Sequence, residues 1–440
     1  MKNRLTILLN YFTVNRLTYI LLFFITLILI ESRQTKITNF NCEICADKAG
    51  YYMFLPAVFH MGFEAENYTE NFQVERGNGF ILDKKKNKII TKFTYGLSLL
   101  LSPFYALGAL IAYFFSINEH PYSNYYLFFI NIGAAFYITL GLFYLNKFFK
   151  FYFSKSVSFL TVMIVFFGTN LYYYSIDETL MSHLYSFSLF SILLYGIKTF
   201  YETKQTKHFL LFAIPFALAV LIRPTNILFG VFVLFLDVDN MSSLKSNLKM
   251  VLQRKNIAIG LGIYLIILIP QMLYWNFAYG QFLPYTYGEE GFTNWYKPRL
   301  INNWFSPHSG FFTYTPIALL SIYFSIVMIF RKQKNAVLVL AVFLISSYMC
   351  ASWHLVNFGG CNFGKRPMVE YLPLIMFPIG YLLSTFKNYR FWVKLLIILL
   401  IITFVSYNLI LFRRFDTCFF GDTWEWSKFW LLVKEAYMFK

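Results

Sequence analysis

Carboxylates, cations and aromatic side chains meet in five short stretches of this sequence. Asp47 and Lys48 open "DKAGYYMFLPAVF", which predicts a short helix whose aromatic face carries Tyr51 and Tyr52. Asp177, Glu178 and His183 lie in "YYYSIDETLMSHLYSF", and Arg223 lies in "LIRPTN". Lys297, Arg299 and His308 follow in "GFTNWYKPRLINNWFSPHSGFFTYTP". His354, Lys365, Arg366 and Glu370 complete the set in "SWHLVNFGGCNFGKRPMVEYLP". All of them border long apolar runs, where an ionisable group is costly to keep and is a functional candidate by default. Carboxylates accept hydroxyl protons, aromatic faces cover sugar C–H surfaces, and Arg forks or Lys ammonium groups match phosphate oxygens. One pocket holding all three would bind a sugar and a phosphate.

Each residue also has a plainer role. Asp47 suits the cap of the helix it precedes, and Arg223, beside Pro224, can snorkel to an interface. Glu370 follows Arg366 by four residues, the helical spacing of a salt bridge. Cys42 and Cys45 share a two-residue gap, but no second Cys or His pair stands near enough to complete a zinc site. They are either incidental thiols or a pair that oxidises in an oxidising compartment.

Long apolar elements must position these groups. Of 440 residues, 58% are apolar and 13% charged, the composition of an integral membrane protein. The net charge of +17 does not mark a nucleic-acid binder, because Lys and Arg sit in short clusters between apolar runs, as in positive-inside loops. The runs lie near 17–30, 94–117, 122–146, 156–174, 182–200, 208–222, 225–236, 256–275, 312–330, 335–350, 370–386 and 392–412. Each approaches the roughly 20 residues a bilayer demands or falls somewhat short of it. Lys2, Arg4 and Arg16 precede the first run without a small-residue cleavage site, so it reads as a retained anchor, with a cleaved signal peptide as the alternative. The tail 415–440 ends in an amphipathic stretch suited to an interface.

Basic clusters around Lys147, Lys198, Lys245, Arg331 and Lys387 assign one set of loops to the cytoplasm, and the aromatic, sparsely charged loops to the outside. The beginning of the chain is undecided by charge. If 94–117 crosses, Asp47 is cytoplasmic, as the lysines from Lys84 to Lys92 favour. If it lies along the outer interface, as its Ser102-Pro103 interruption allows, Asp47 is outside.

A first span, a long outer loop with an early Asp and a following amphipathic helix together resemble the GT-C superfamily of membrane glycosyltransferases. "KFTYGLSLLLSPFYALG" resembles the family's juxtamembrane segment, and "FGTNLYYYSIDETLMSHLYSF" its second outer loop. "NWFSPHSGFFTYTPIALL" and "FGGCNFGKRPMVEYLPLIMFP" are similar to late segments of bacterial protein O-mannosyltransferase and aminoarabinose transferase relatives. The resemblance implies an all-α polytopic bundle of about 11 transmembrane helices over 1–414, with a first outer loop of about 32–121 carrying juxtamembrane helices. It puts Asp47 outside and implies transfer of a sugar, with inversion, from a polyprenyl-phosphate donor to an acceptor on the outer face of a bacterial inner membrane.

In that scheme Asp47 is the base. Lys48, Tyr51, Tyr52, Asp177, Glu178 and His183 contact sugar or acceptor. Arg223, Lys297, Arg299, His308, His354, Lys365 and Arg366 bind phosphate. Many family members have two adjacent acids, whereas Lys48 follows Asp47 here. The second acid is left to Asp177 or Glu178, and a divalent cation remains an open cofactor with no assigned ligand. No P-loop or Rossmann fingerprint is present to suggest a nucleotide-sugar donor. The alternative is a transporter or flippase of a lipid-linked or amphiphilic substrate.

Overall fold

The computed structural model describes residues 16–33, 43–69, 71–355, 358, 362–415 and 425–438. Lys2, Arg4 and Cys42 lie outside them. Every apolar run found in the sequence is mostly helical, from Arg16–Ser32 to Phe391–Arg414, but 156–174, 312–330 and 370–386 are each divided between separate helices. Gly96–Phe114, Asn124–Phe149, Arg254–Tyr279, Arg366–Ser384 and Phe391–Arg414 are long and apolar enough to cross a membrane. Shorter apolar helices such as Thr206–Ile222 and Ala336–Ser352 pack among them. Arg254–Tyr279 and Phe391–Arg414 leave leucines and isoleucines uncovered, among them Leu265, Leu273, Leu399 and Ile402, with Ile266 73% exposed. Apolar faces of that extent suit lipid. The fold is that of a helical membrane protein.

Ser182–Thr203 runs through the centre, buried along most of its length. It is rich in serine, and Ser188 and Ser191 return their hydroxyls to the carbonyls of Leu184 and Phe187 at 2.9 Å. No polar atom is then left facing hydrocarbon at these positions. Gly141 on Asn124–Phe149 lies against Ser188, where a Cβ would come within 2.6 Å of its Oγ. Small residues thus let the two helices close, as in packed membrane helices. At one end of this bundle Asp237 gathers Lys198 at 2.8 Å, Tyr152 at 3.0 Å and Asn335 at 2.9 Å, joining three of the basic loops.

A short hairpin precedes Gly96–Phe114. Ile81–Asp83 and Lys88–Ile90 form an antiparallel hairpin where the sequence suggests only a cluster of lysines. Asn87 adopts φ 51° in its turn, a conformation asparagine tolerates well. Two of the lysines are fasteners: Lys88 donates to the Phe277 carbonyl at 2.6 Å, and Lys92 pairs with Glu290 at 2.6 Å. Gly96–Phe114 then lies along the first half of Asn124–Phe149, with Tyr137 donating to the Leu100 carbonyl and Tyr125 to that of Gly108. At the other terminus, Trp426–Tyr437 buries Phe429 and Leu432 against the bundle and turns Trp430 and Leu431 outward.

Candidate active site

Asp47 begins the helix Asp47–Tyr52, where a carboxylate also complements the positive helix end. It is not the cap: Ala46 holds that place at φ 50° with no side-chain hydrogen bond. The turn is fixed from several directions. Ala46 N–H donates to the Arg76 carbonyl at 2.8 Å, and Thr91 Oγ1 donates to the Gly79 carbonyl at 2.9 Å. Ser98 Oγ donates to the Tyr51 carbonyl at 2.5 Å. Gly50 has no room for a side chain, since a Cβ would stand 2.3 Å from both the Gly79 carbonyl and the Phe93 ring.

Asp47 lines a cavity of about 330 Å³ together with Tyr51, His183, Arg223, His354, Arg366 and Glu370. Three cation–carboxylate pairs face it. Arg366 Nη2 lies 3.0 Å from Asp47 Oδ2 and also donates to the Phe358 carbonyl at 3.0 Å. Arg223 Nε lies 3.0 Å from Glu370 Oε1. This is an ion pair without an aligned N–H bond, and the same oxygen also lies 2.7 Å from His183 Nδ1. Lys92 and Glu290 form the third pair.

The expected Arg366–Glu370 salt bridge does not form. Arg366–Tyr371 is a 3₁₀ helix, in which positions three apart, not four, share a face. Arg366 therefore reaches the first loop, and Glu370 turns to Arg223. The strand of chain bearing Arg366 is held by Asn170, whose amide donates to the Lys365 carbonyl at 3.3 Å. Phe363 adds to this by stacking on Tyr173 with ring centroids 4.9 Å apart.

Lys48 turns away from the cavity and pairs with Glu178 at 3.1 Å. The cation standing where a second acid was expected thus draws a carboxylate from the second loop. Burial pushes the Glu178 carboxyl up, opposed by the Lys48 ammonium. Burial also works against the charge on Lys48, but Glu178 and Glu43 outweigh it and keep the ammonium protonated. Lys365 is buried beside Arg366 and does not line the cavity; burial brings its ammonium down to about 8.

The other sequence candidates are placed differently. Tyr52 is buried and donates to the Pro121 carbonyl at 2.5 Å, away from the cavity. Asp177 and His308 do not line the cavity either, and Lys297 and Arg299 are exposed outside it. Cys45 is disulfide-bonded, and Cys350 is the free thiol among the described residues.

An aromatic wall closes one side. Trp353 and Phe358 are parallel at 6.1 Å, with Phe292 edge-on to Trp353 at 5.0 Å and Tyr287 edge-on at 6.1 Å. Sequence reasoning missed Lys92, Tyr287 and Glu290. Counting only the basic residues of loop 276–311 passes over its acids, and "YTYGEE" was the available signal. Among the described residues, no three His, Cys, Asp or Glu side chains converge to hold a metal ion. Asp47, Glu178 and Glu370 each face a cation of the protein instead, so the arrangement does not fit a divalent cation. What the cavity does offer is three carboxylates, two guanidinium groups, a lysine ammonium and stacked rings within one enclosure. No protein-family model matches the chain, and no curated protein matches it.

Proposed function

We propose that this protein is a membrane glycosyltransferase that takes a sugar from a polyprenyl-phosphate donor to an acceptor on the outer face of a bacterial inner membrane, crossing it about 11 times. The observation that carries the reading is the convergence of Asp47, Arg223, Arg366 and an aromatic wall on one cavity. The acceptor hydroxyl attacks the anomeric carbon, its proton passes to Asp47, and the anomeric C–O bond breaks with its electron pair leaving on the lipid phosphate. Arg366 and Arg223 meet the charge growing on that phosphate. A single displacement inverts the anomeric centre. Trp353 and Phe358 offer faces for the sugar ring, and Tyr51 and His183 line the same space.

Two features favour an outward-facing site. Gly96–Phe114 is tied to Asn124–Phe149 at Tyr125 and Tyr137, away from its Lys147 end, which supports a juxtamembrane course. Lys88 and Lys92 are committed to tertiary partners, so they weigh little as signals of a cytoplasmic loop. Topology provides the test. A membrane-impermeant maleimide should label Val74→Cys, at a position 84% exposed in the first loop, on intact cells, and should label Lys204→Cys only after permeabilisation. Labelling of Val74→Cys only after permeabilisation would remove the proposed site from the outer face.

A further inference from the structure

Asp47 and Arg366 are bonded to each other at 3.0 Å. The carboxylate that should accept a proton is therefore held, through one of its two oxygens, by a cation that should bind phosphate. The two arginines of the cavity differ in this respect. Arg223 faces Glu370 through Nε, and its terminal nitrogens donate no hydrogen bond among the described residues. Arg366 uses Nη2 for Asp47 and for the Phe358 carbonyl, and so it keeps one anchor if the carboxylate is released. Asp47 is 34% exposed toward the cavity, while its neighbour Lys48 is tied to Glu178. Lys48 does not replace Arg366 as the partner of Asp47.

We infer that the donor phosphate displaces the Asp47 carboxylate from Arg366, so that donor binding itself frees the base. This rests on the proposed function and adds an order to it: the donor binds first, and the acceptor meets a competent base only in the donor complex. A phosphate can take both prongs of the guanidinium, a geometry that favours the exchange over the single contact it replaces. After transfer Asp47 holds the acceptor's proton and Arg366 holds the phosphate of the product lipid. Release of that lipid and loss of the proton to water restore the Asp47–Arg366 pair.

The test is binding of undecaprenyl phosphate to the full-length protein in nanodiscs. If carboxylate and phosphate compete for Arg366, Asp47→Asn should bind the lipid about threefold to tenfold more tightly than wild type, the range of a partly exposed charge pair. In an Arg366→Gln background that gain should vanish. Unchanged or weaker binding by Asp47→Asn overturns the exchange by itself, whether or not Arg366→Gln folds. An equal gain in both backgrounds overturns it too, since it reports only through-space repulsion. Failure of the wild-type protein to bind undecaprenyl phosphate overturns the proposed function instead, and the exchange falls with it.

Discussion

Asp47→Asn is expected to lower transfer by about 10²- to 10⁴-fold, the range a positioned general base contributes, while the protein still folds and inserts. The substitution keeps shape and hydrogen-bonding capacity, and the turn it sits in is held by Ala46, Thr91 and Ser98, not by the carboxylate. The loss should therefore appear in kcat more than in thermal stability. Elution as a single species in detergent and an unshifted melting curve, measured alongside the rate, check that distinction. Activity near the wild-type level in a folded Asp47→Asn protein would refute the role of Asp47.

The second large effect is on stability. Glu370 and His183 each have about 1% of their side chain exposed, and Glu370 faces Arg223 at 3.0 Å. Replacing Glu370 by Leu leaves a guanidinium without its counter-ion, and breaking such a pair from one side costs about 3–5 kcal/mol when both partners are fully buried. Arg223 has 22% of its side chain exposed to the cavity, so the expected loss is smaller, about 2–3 kcal/mol. The double variant Arg223→Leu/Glu370→Leu removes both charges and should recover the part of that stability lost to the unpaired guanidinium, while the lost His183–Glu370 hydrogen bond is common to both variants. It should not recover transfer, because one of the two guanidinium groups facing the phosphate is gone. Thermal unfolding of the three variants in one detergent measures the first effect, and lipid-phosphate binding the second. A double variant less stable than Glu370→Leu would show that Arg223 is held by contacts other than its charge.

Much of the scaffold can be read in the sequence, because crossing hydrocarbon forces long apolar runs whatever else the chain does. The runs are mostly helical, three of them broken, and the segment after Asp47 is helical as its pattern suggests. The site was legible only in part. Asp47, Tyr51, His183, Arg223, His354 and Arg366 could be listed because charges and rings beside apolar runs stand out. Their pairing could not be read, since Arg366 and Asp47 lie 319 positions apart, whereas local spacing offers Glu370 as the partner. That spacing misleads because the backbone is 3₁₀ at Arg366–Tyr371, which Pro367 and the following Leu372-Pro373 pair make understandable. The hairpin around Lys84–Asn87 was hidden for a different reason. Its turn is built from lysines and one asparagine at positive φ, without the glycine or proline that usually signals a turn.

Breaking a glycosyl–phosphate bond is the chemistry proposed for this site. Purified protein in liposomes containing polyprenyl-phosphate sugars, supplied with a membrane-glycan extract as acceptor and followed by mass spectrometry of the lipids, tests it most directly. One donor should disappear as free undecaprenyl phosphate accumulates in equal amount, and Asp47→Asn should stop both. Donors that remain intact, or that reach the other leaflet with the sugar still attached, would contradict it and identify the protein as a carrier of such lipids.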